Sequence, residues 1–269
     1  MITSNQNSKI KHVRALMGRS KERREAEAFV VEGVRLVEEA AKGDWRFEIV
    51  LYDETLSERG KLQVEGLRLK GVDVEEVSAG VMKSLSDTES PQGILAVVTN
   101  YQLPPFDQAQ GKITNQLNFI LIPDQIRDPG NLGALLRSAA AAGAPAVLIP
   151  PETTDAFAPK VLRSGMGAHF RLPIREMGWD EITKVVTLEG LKVWAADMDG
   201  PSCWETDLTQ PIALIVGNEA EGVSEAARKL ADGKISIPMS GGVESLNAGV
   251  AGSVLMFEVM RQRAEGSEQ

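Results

Sequence analysis

The sequence predicts an α/β protein: a parallel sheet with helices on both faces, preceded by a smaller α/β unit. Three observations predict it. Strand-length apolar runs recur in the second half, at Leu117–Pro123, Ala146–Ile149, Leu191–Ala196 and Ile212–Val216, and such unbroken runs suit strands covered on both faces. Helical periodicity separates them, most clearly in Leu132–Ala142, where Leu132, Leu135, Leu136, Ala139 and Ala140 share one stripe. The same alternation runs through the first 100 or so residues on a smaller scale. Right-handed strand–helix–strand connections then give a doubly wound sheet.

In chain order, residues 1–27 read as a polar, basic helical lead-in. Phe29–Gly33 reads as a strand, Val34–Ala41 as a helix and Phe47–Tyr52 as a strand. Ser57–Leu69 reads as a helix with Leu62, Leu67 and Leu69 available for burial. Val72–Val77 is a strand, Ala79–Leu85 a short helix and Ile94–Val98 a strand. Residues 101–115 hold Pro104, Pro105 and Gly111 with little apolar periodicity, and read as a linker. The expected division is therefore 1–100, a linker at 101–115, and 116–269. In the last part, Phe157–Met166 and Asp180–Glu189 read as helices and residues 197–210 as a long loop. Ser224 is placed to cap a helix over Glu225–Ala231. A final helix begins near Ser245, and its run of small residues, Ala248 to Ser253, implies close approach of a backbone or ligand.

Composition narrows the function. No apolar run approaches the roughly 20 residues of a membrane span, and no apolar signal segment follows Met1, so a soluble cytoplasmic protein is expected. One cysteine, Cys203, leaves no internal disulfide framework, and the two histidines, His12 and His169, lie far apart, so no metal site is expected. The net charge of −9 argues against non-specific coating of nucleic acid. It is compatible with one RNA met by a local basic patch, and Lys9, Lys11, Arg14, Arg19, Lys21, Arg23 and Arg24 form the clearest one. A solvated helix face is the equally weighted alternative for that run.

Open parallel sheets bind ligands beyond the carboxyl ends of their strands. Three such ends stand out: Ala195-Ala196-Asp197-Met198, Val216-Gly217-Asn218-Glu219, and Ile237 to Met239 leading into Ser245-Leu246-Asn247. Four ordered blocks carry a resemblance. They are Asp128-Pro129-Gly130-Asn131 through Arg137-Ser138-Ala139, Ile215-Val216-Gly217-Asn218-Glu219-Ala220-Glu221-Gly222, Ile235-Ser236-Ile237-Pro238-Met239, and Ser245-Leu246-Asn247-Ala248-Gly249-Val250-Ala251. Together they resemble the SpoU (TrmH-type) branch of the SPOUT RNA methyltransferases. Glu32-Gly33 and Pro91-Gln92-Gly93 resemble the L30e-like substrate-binding domain found beside it.

The resemblance implies a deep C-terminal trefoil knot, S-adenosylmethionine as cofactor, a homodimer and methyl transfer to a ribose 2′-hydroxyl. It implies cofactor contacts from Ala195, Ala196, Asp197, Val216, Gly217, Asn218, Gly222, Ile237, Met239, Ser245, Leu246, Asn247 and Ala251, and a catalytic set of Asn131, Arg137, Glu219 and Asn247. Taken singly, the glycines read as turn residues and Asn131 as a helix cap. The family assigns activation of the hydroxyl to the arginine; because guanidinium stays protonated, the expected role of Arg137 is to hold an RNA phosphate and stabilise the developing alkoxide. Glu219 is expected to orient Asn131 or accept a proton. Gly249 departs from the family's usual serine. The small-residue face from Ala248 to Ser253, with Val254, Leu255, Phe257 and Val259, is expected at the dimer interface or in the core. Ribosomal RNA is the expected substrate because of the L30e-like extension. The alternatives are a tRNA ribose methyltransferase, an RNA base methyltransferase, and a catalytically silent knotted RNA-binding or ribosome-assembly protein. A dinucleotide oxidoreductase ranks last, since no G-x-G-x-x-G opens a strand–helix unit.

Overall fold

The computed structural model describes residues 1–43, 45–99, 117–241 and 245–266. The expected linker, 101–115, lies outside them, as do residues 242–244 of the loop before the last helix. The described chain forms two compact units. One holds the residues up to 99 together with Phe157–Phe170; the other holds 117–156 and everything from Arg171 onward.

The first unit has a four-stranded sheet in the order β1 (Ala28–Glu32), β4 (Ile94–Thr99), β2 (Arg46–Tyr52), β3 (Val74–Glu76). The β4 strand is antiparallel to β1 and β2, while β2 and β3 run parallel. Helices α1 (Ser8–Gly18), α2 (Ser20–Ala26), α3 (Val34–Lys42), α4 (Glu58–Leu69) and α5 (Ala79–Leu85) surround it. One side of the sheet packs Ile10, Val13, Leu16, Val81 and Met82; the other packs Leu36, Val37, Val64 and Leu67. Two expectations fail here. In α4 the buried positions are Gly60, Val64 and Leu67, leaving Leu62 and Leu69 76% and 87% exposed. Positions 60, 64 and 67 share one face, and Leu62 and Leu69 fall off it. The basic lead-in is also not one free surface. Arg23 is buried and donates to the Leu16 and Met17 carbonyls, and Lys9 pairs with Asp73 and Glu75, both at 2.7 Å.

Segment 157–170, expected in the second domain, belongs to the first unit. It carries a short helix, Pro159–Gly165, and a turn of 3₁₀ helix at Ala168–Phe170. The Phe29 ring meets Phe157, Trp45 and Phe170 at centroid distances of 4.9, 5.8 and 6.4 Å. Burial of these rings fixes the segment there.

The second unit is a six-stranded, all-parallel sheet. Counting onward, β5 (Phe119–Pro123), β6 (Ala146–Ile149), β7 (Ile174–Glu176), β8 (Lys192–Ala196), β9 (Ile212–Val216) and β10 (Gly233–Ile235) are ordered β10-β8-β9-β5-β6-β7. The edge strand β7 has only three residues, Ile174-Arg175-Glu176, and too little apolar pattern to be read from sequence. Its main helices are α6 (Pro129–Ala141), α8 (Trp179–Leu188), α9 (Glu225–Leu230) and α10 (Ala248–Gly266), with α7 being the Pro159–Gly165 helix of the first unit. Helix α6 starts a turn earlier than its apolar stripe implies, because Asp128 accepts the Asn131 N–H as N-cap and Pro129 suits the first turn. Ser224 caps α9 as expected. Chain order reverses between β5 and β9, and Asp124, just beyond β5, donates its N–H to the Val216 carbonyl at 2.8 Å. No described helix is long and apolar enough to cross a membrane.

Candidate active site at the ends of β8, β9 and β10

A cavity of about 310 Å³ opens at the carboxyl ends of β8, β9 and β10. That volume falls at the lower end of small-molecule sites, roughly 300–1,000 Å³. Apolar walls come from Val216, Val223, Ile235, Ile237, Met239, Leu246, Ala251 and Leu255. Polar groups come from Asp197, Asn218, Glu219, Glu221, Ser236, Ser245 and Arg228. Of the expected cofactor residues, Ala196, Asp197, Val216, Gly217, Asn218, Gly222, Ile237, Met239, Ser245, Leu246 and Ala251 line it. Ala195 does not: it is 2% exposed inside β8, one residue short of the strand end. Asn247 does not line it either, and sits in the polar network beside it.

The loop after β9 is shaped by its own backbone. Asn218 and Gly222 exchange N–H···O bonds of 3.0 and 2.9 Å, and the Asn218 side-chain oxygen accepts the Ala220 N–H at 2.9 Å. Gly217 has a reason beyond turn geometry: a Cβ there would strike the Gly222 carbonyl and stand 2.6 Å from the Val223 nitrogen. The base of the loop is tied to Asp124. This carboxyl is fully buried and accepts the Ser224 N–H at 2.5 Å, and burial pushes its pKa up from the ordinary value. Asp197 is held below its ordinary value, first by the Asp199 N–H and then by Lys234, 2.9 Å away.

At the loop tip, Glu219 gathers three donors from two distant blocks. One carboxylate oxygen accepts from the Asn131 amide, from the Asn247 amide at 3.3 Å and from the Ala248 N–H at 3.2 Å. The Asn247 amide also donates to the Asn131 side-chain oxygen at 2.8 Å, and the Asn247 oxygen accepts the Val250 N–H. Glu219 thus caps the start of α10, where unpaired N–H groups favour an anion, and orients Asn131. Arg137 is exposed on α6, and its guanidinium makes no hydrogen bond or ion pair among the described residues. Gly249 faces α6 rather than the cavity: a Cβ there would lie 3.2 Å from the Asn247 oxygen and 3.3 Å from the Ala134 Cβ. The nearby serine hydroxyls, Ser138 and Ser253, bond each other at 2.7 Å across α6 and α10. Met198, named with the β8 strand end, lines the cavity too, as do Ala248 and Leu255, which were expected at the dimer interface or in the core; Val223 and Arg228 line it without any signal in the sequence. Arg228 belongs to an ordinary-looking helix, and its spacing carried no signal.

The chain matches the model of the SpoU rRNA methylase family over residues 118–257. The chain belongs to the SpoU rRNA methylase family. An MRM3-like substrate binding domain matches residues 7–96. Among relatives, the 23S rRNA (guanosine(2553)-2′-O)-methyltransferase RlmP of Bacillus subtilis is 34% identical over 96% of this chain and 98% of that protein. The 23S rRNA (uridine(2479)-2′-O)-methyltransferase of Streptomyces viridochromogenes is 32% identical over 98% and 93%. The crystal structure of the SpoU methyltransferase AviRb from Streptomyces viridochromogenes, in complex with AdoMet, superposes with a TM-score of 0.82 at 30% identity, covering 97% of this chain and all of that one. Apolar side chains wall the strand-end cavity, and the Gly217–Gly222 backbone turns tightly enough to leave it open.

Proposed function

We propose that the protein is an S-adenosylmethionine-dependent methyltransferase acting on a ribose 2′-hydroxyl of ribosomal RNA. The observation that carries this reading is the meeting of Asn131, Glu219 and Asn247, from three separate blocks, beside the strand-end cavity. Two relatives that match along nearly the whole chain, including its first unit, are named as 23S rRNA 2′-O-methyltransferases, which favours ribosomal over transfer RNA.

In this reading, residues 196–197, 216–218, 222, 237, 239, 245–246 and 251 hold the cofactor. When bound, the cofactor supplies a methyl group already activated by its sulfonium. The protein's part is placement: Asn131 and Asn247, fixed by Glu219, position the ribose, and the apolar walls exclude water. Arg137 holds a phosphate and stabilises negative charge as the hydroxyl proton leaves. Because the sulfonium already activates the methyl group, this reading assigns no step to a metal.

The same reading takes the last third of the chain as knotted, the protein as cytoplasmic and its active form as a homodimer. Leu255 and Val259 are buried in the core, but Val250, Phe257 and Met260 stay exposed on α10, and this face is the proposed contact. The silent RNA-binding alternative rested on Gly249, which lies away from the cavity. Titration calorimetry with S-adenosylmethionine tests the reading. Micromolar-range binding that disappears in Leu246→Trp, together with a new 2′-O-methyl mapped on ribosomal RNA, is the expected result. A folded protein that binds neither alone nor with RNA present would overturn it.

A further inference from the structure

The cavity has an uneven charge. Three acids line it, Asp197, Glu219 and Glu221, against one base among the described residues, Arg228. The acids are placed for other work. Asp197 is paired with Lys234, Glu221 lies 3.5 Å from Arg127, and Glu219 holds the two asparagines. Arg228 is different. One guanidinium N–H donates to the Glu221 carbonyl at 3.3 Å, and the remaining donors bond to nothing among the described residues. Asp124 and Asp197 feel it only as a more distant cation, the smallest influence acting on either. The chain therefore keeps one anchored guanidinium at the cavity with most of its planar donor fork unused.

A ligand that uses such a fork presents a carboxylate or phosphate, since bidentate N–H···O pairs match that geometry. The cofactor of the function proposed above, on which this inference rests, has one such group: the carboxylate of its amino-acid end. Its sulfonium and ammonium are cations and suit the acid-rich remainder of the wall. We propose that Arg228 binds the α-carboxylate of S-adenosylmethionine and so sets which way the amino-acid end lies in the cavity. The anchoring bond to the Glu221 carbonyl keeps the arginine attached to the same loop that carries Glu219, so carboxylate capture and placement of Asn131 are coupled through residues 219–221.

The test compares two ligands that differ only in that carboxylate, S-adenosylmethionine and its decarboxylated form, titrated by calorimetry into wild type, Arg228→Gln and Arg228→Lys. Melting curves check that each variant is folded; Arg228 is exposed, so both substitutions are expected to fold normally. Wild type should prefer the intact cofactor by about ten- to a hundredfold, the worth of a charge-assisted hydrogen-bonded pair. Arg228→Gln should lose that preference while binding the decarboxylated ligand as wild type does, and Arg228→Lys should keep part of it. Equal weakening of both ligands would overturn the inference, because Arg228 would then act only through the shape of the loop. A preference unchanged in Arg228→Gln, or absent in wild type, would overturn it as well. Wild type that binds neither ligand, with or without RNA, would overturn the proposed function along with it.

Discussion

Two glutamates in this protein collect hydrogen bonds from several elements, and they do so under opposite electrostatic conditions. Glu32, at the end of β1, is buried and accepts from the Ser86 and Thr88 hydroxyls and the Asp87 N–H. It also has a cation, Arg163 of α7, 3.5 Å away, which in turn bonds Asp87 at 2.7 Å. Glu219, at the tip of the β9 loop, is exposed and accepts three donors as well, but no cation pairs with it among the described residues. A buried carboxylate must be both hydrogen-bonded and neutralised to be tolerated. An exposed one is solvated, so its charge stays available to a ligand. The first arrangement holds a segment in place; the second keeps a site ready. Arg137 is likewise exposed and without a counter-ion among the described residues, but it makes no hydrogen bond there.

The largest effect is expected where an unpaired charge is removed. Arg137→Ala should lower kcat by about 10²–10³-fold, the usual cost of losing one stabiliser of developing negative charge, while cofactor affinity and thermal stability stay near wild type. Full turnover by Arg137→Ala on ribosomal RNA would break the comparison at its functional end. Next comes the buried glutamate. Glu32→Ala takes away an acceptor shared by two hydroxyls and an N–H and leaves Arg163 with Asp87 alone, so denaturant unfolding should register a loss of about 2–3 kcal/mol. A loss of a few tenths would mean that ring packing around Phe29, and not this carboxylate, retains residues 157–170.

A smaller effect is expected for Glu219→Gln. The amide keeps an acceptor for one donor but loses the charge facing three, so kcat should fall about tenfold to a hundredfold with stability changed by under about 1 kcal/mol. If unfolding and turnover suffered equally, Glu219 would belong with Glu32 as a structural node. The smallest effect concerns Asp124, which is buried like Glu32 yet has no cation close by. Its folded pKa is raised above the unfolded 3.8, so it favours the folded state most fully below that value, and the contribution is lost as pH rises through the raised folded pKa. Asp124→Asn should remove this dependence. Its stability relative to wild type should climb as pH increases through that window; a flat difference across the titration would place the shift elsewhere.

Legibility followed the range of the interactions. Strands β6 and β9 and helix α5 fall where the apolar pattern ends them, and Ser224 caps α9, because these depend on neighbours a few residues away. The cavity walls were legible as strand ends and small-residue blocks, a local signature of close backbone approach. Leu62 and Leu69 were misjudged because apolar residues in a short amphipathic helix do not reveal which face meets the sheet. Strand β7 was missed because three edge residues carry no period.

By itself, the sequence determined the α/β alternation, the chain positions of the site blocks and their kinship with the SpoU methylases, since each is written in local pattern or in ordered motifs. Only the tertiary structure decided that residues 157–170 join the first unit, that Arg23 is buried, that one Glu219 oxygen serves donors from residues 131 and 247–248, and that Arg228 reaches the cavity. These depend on partners dozens of residues away, and hydrogen bonding and burial at that range are set by how the sheet and helices pack, not by the spacing of residues along the chain.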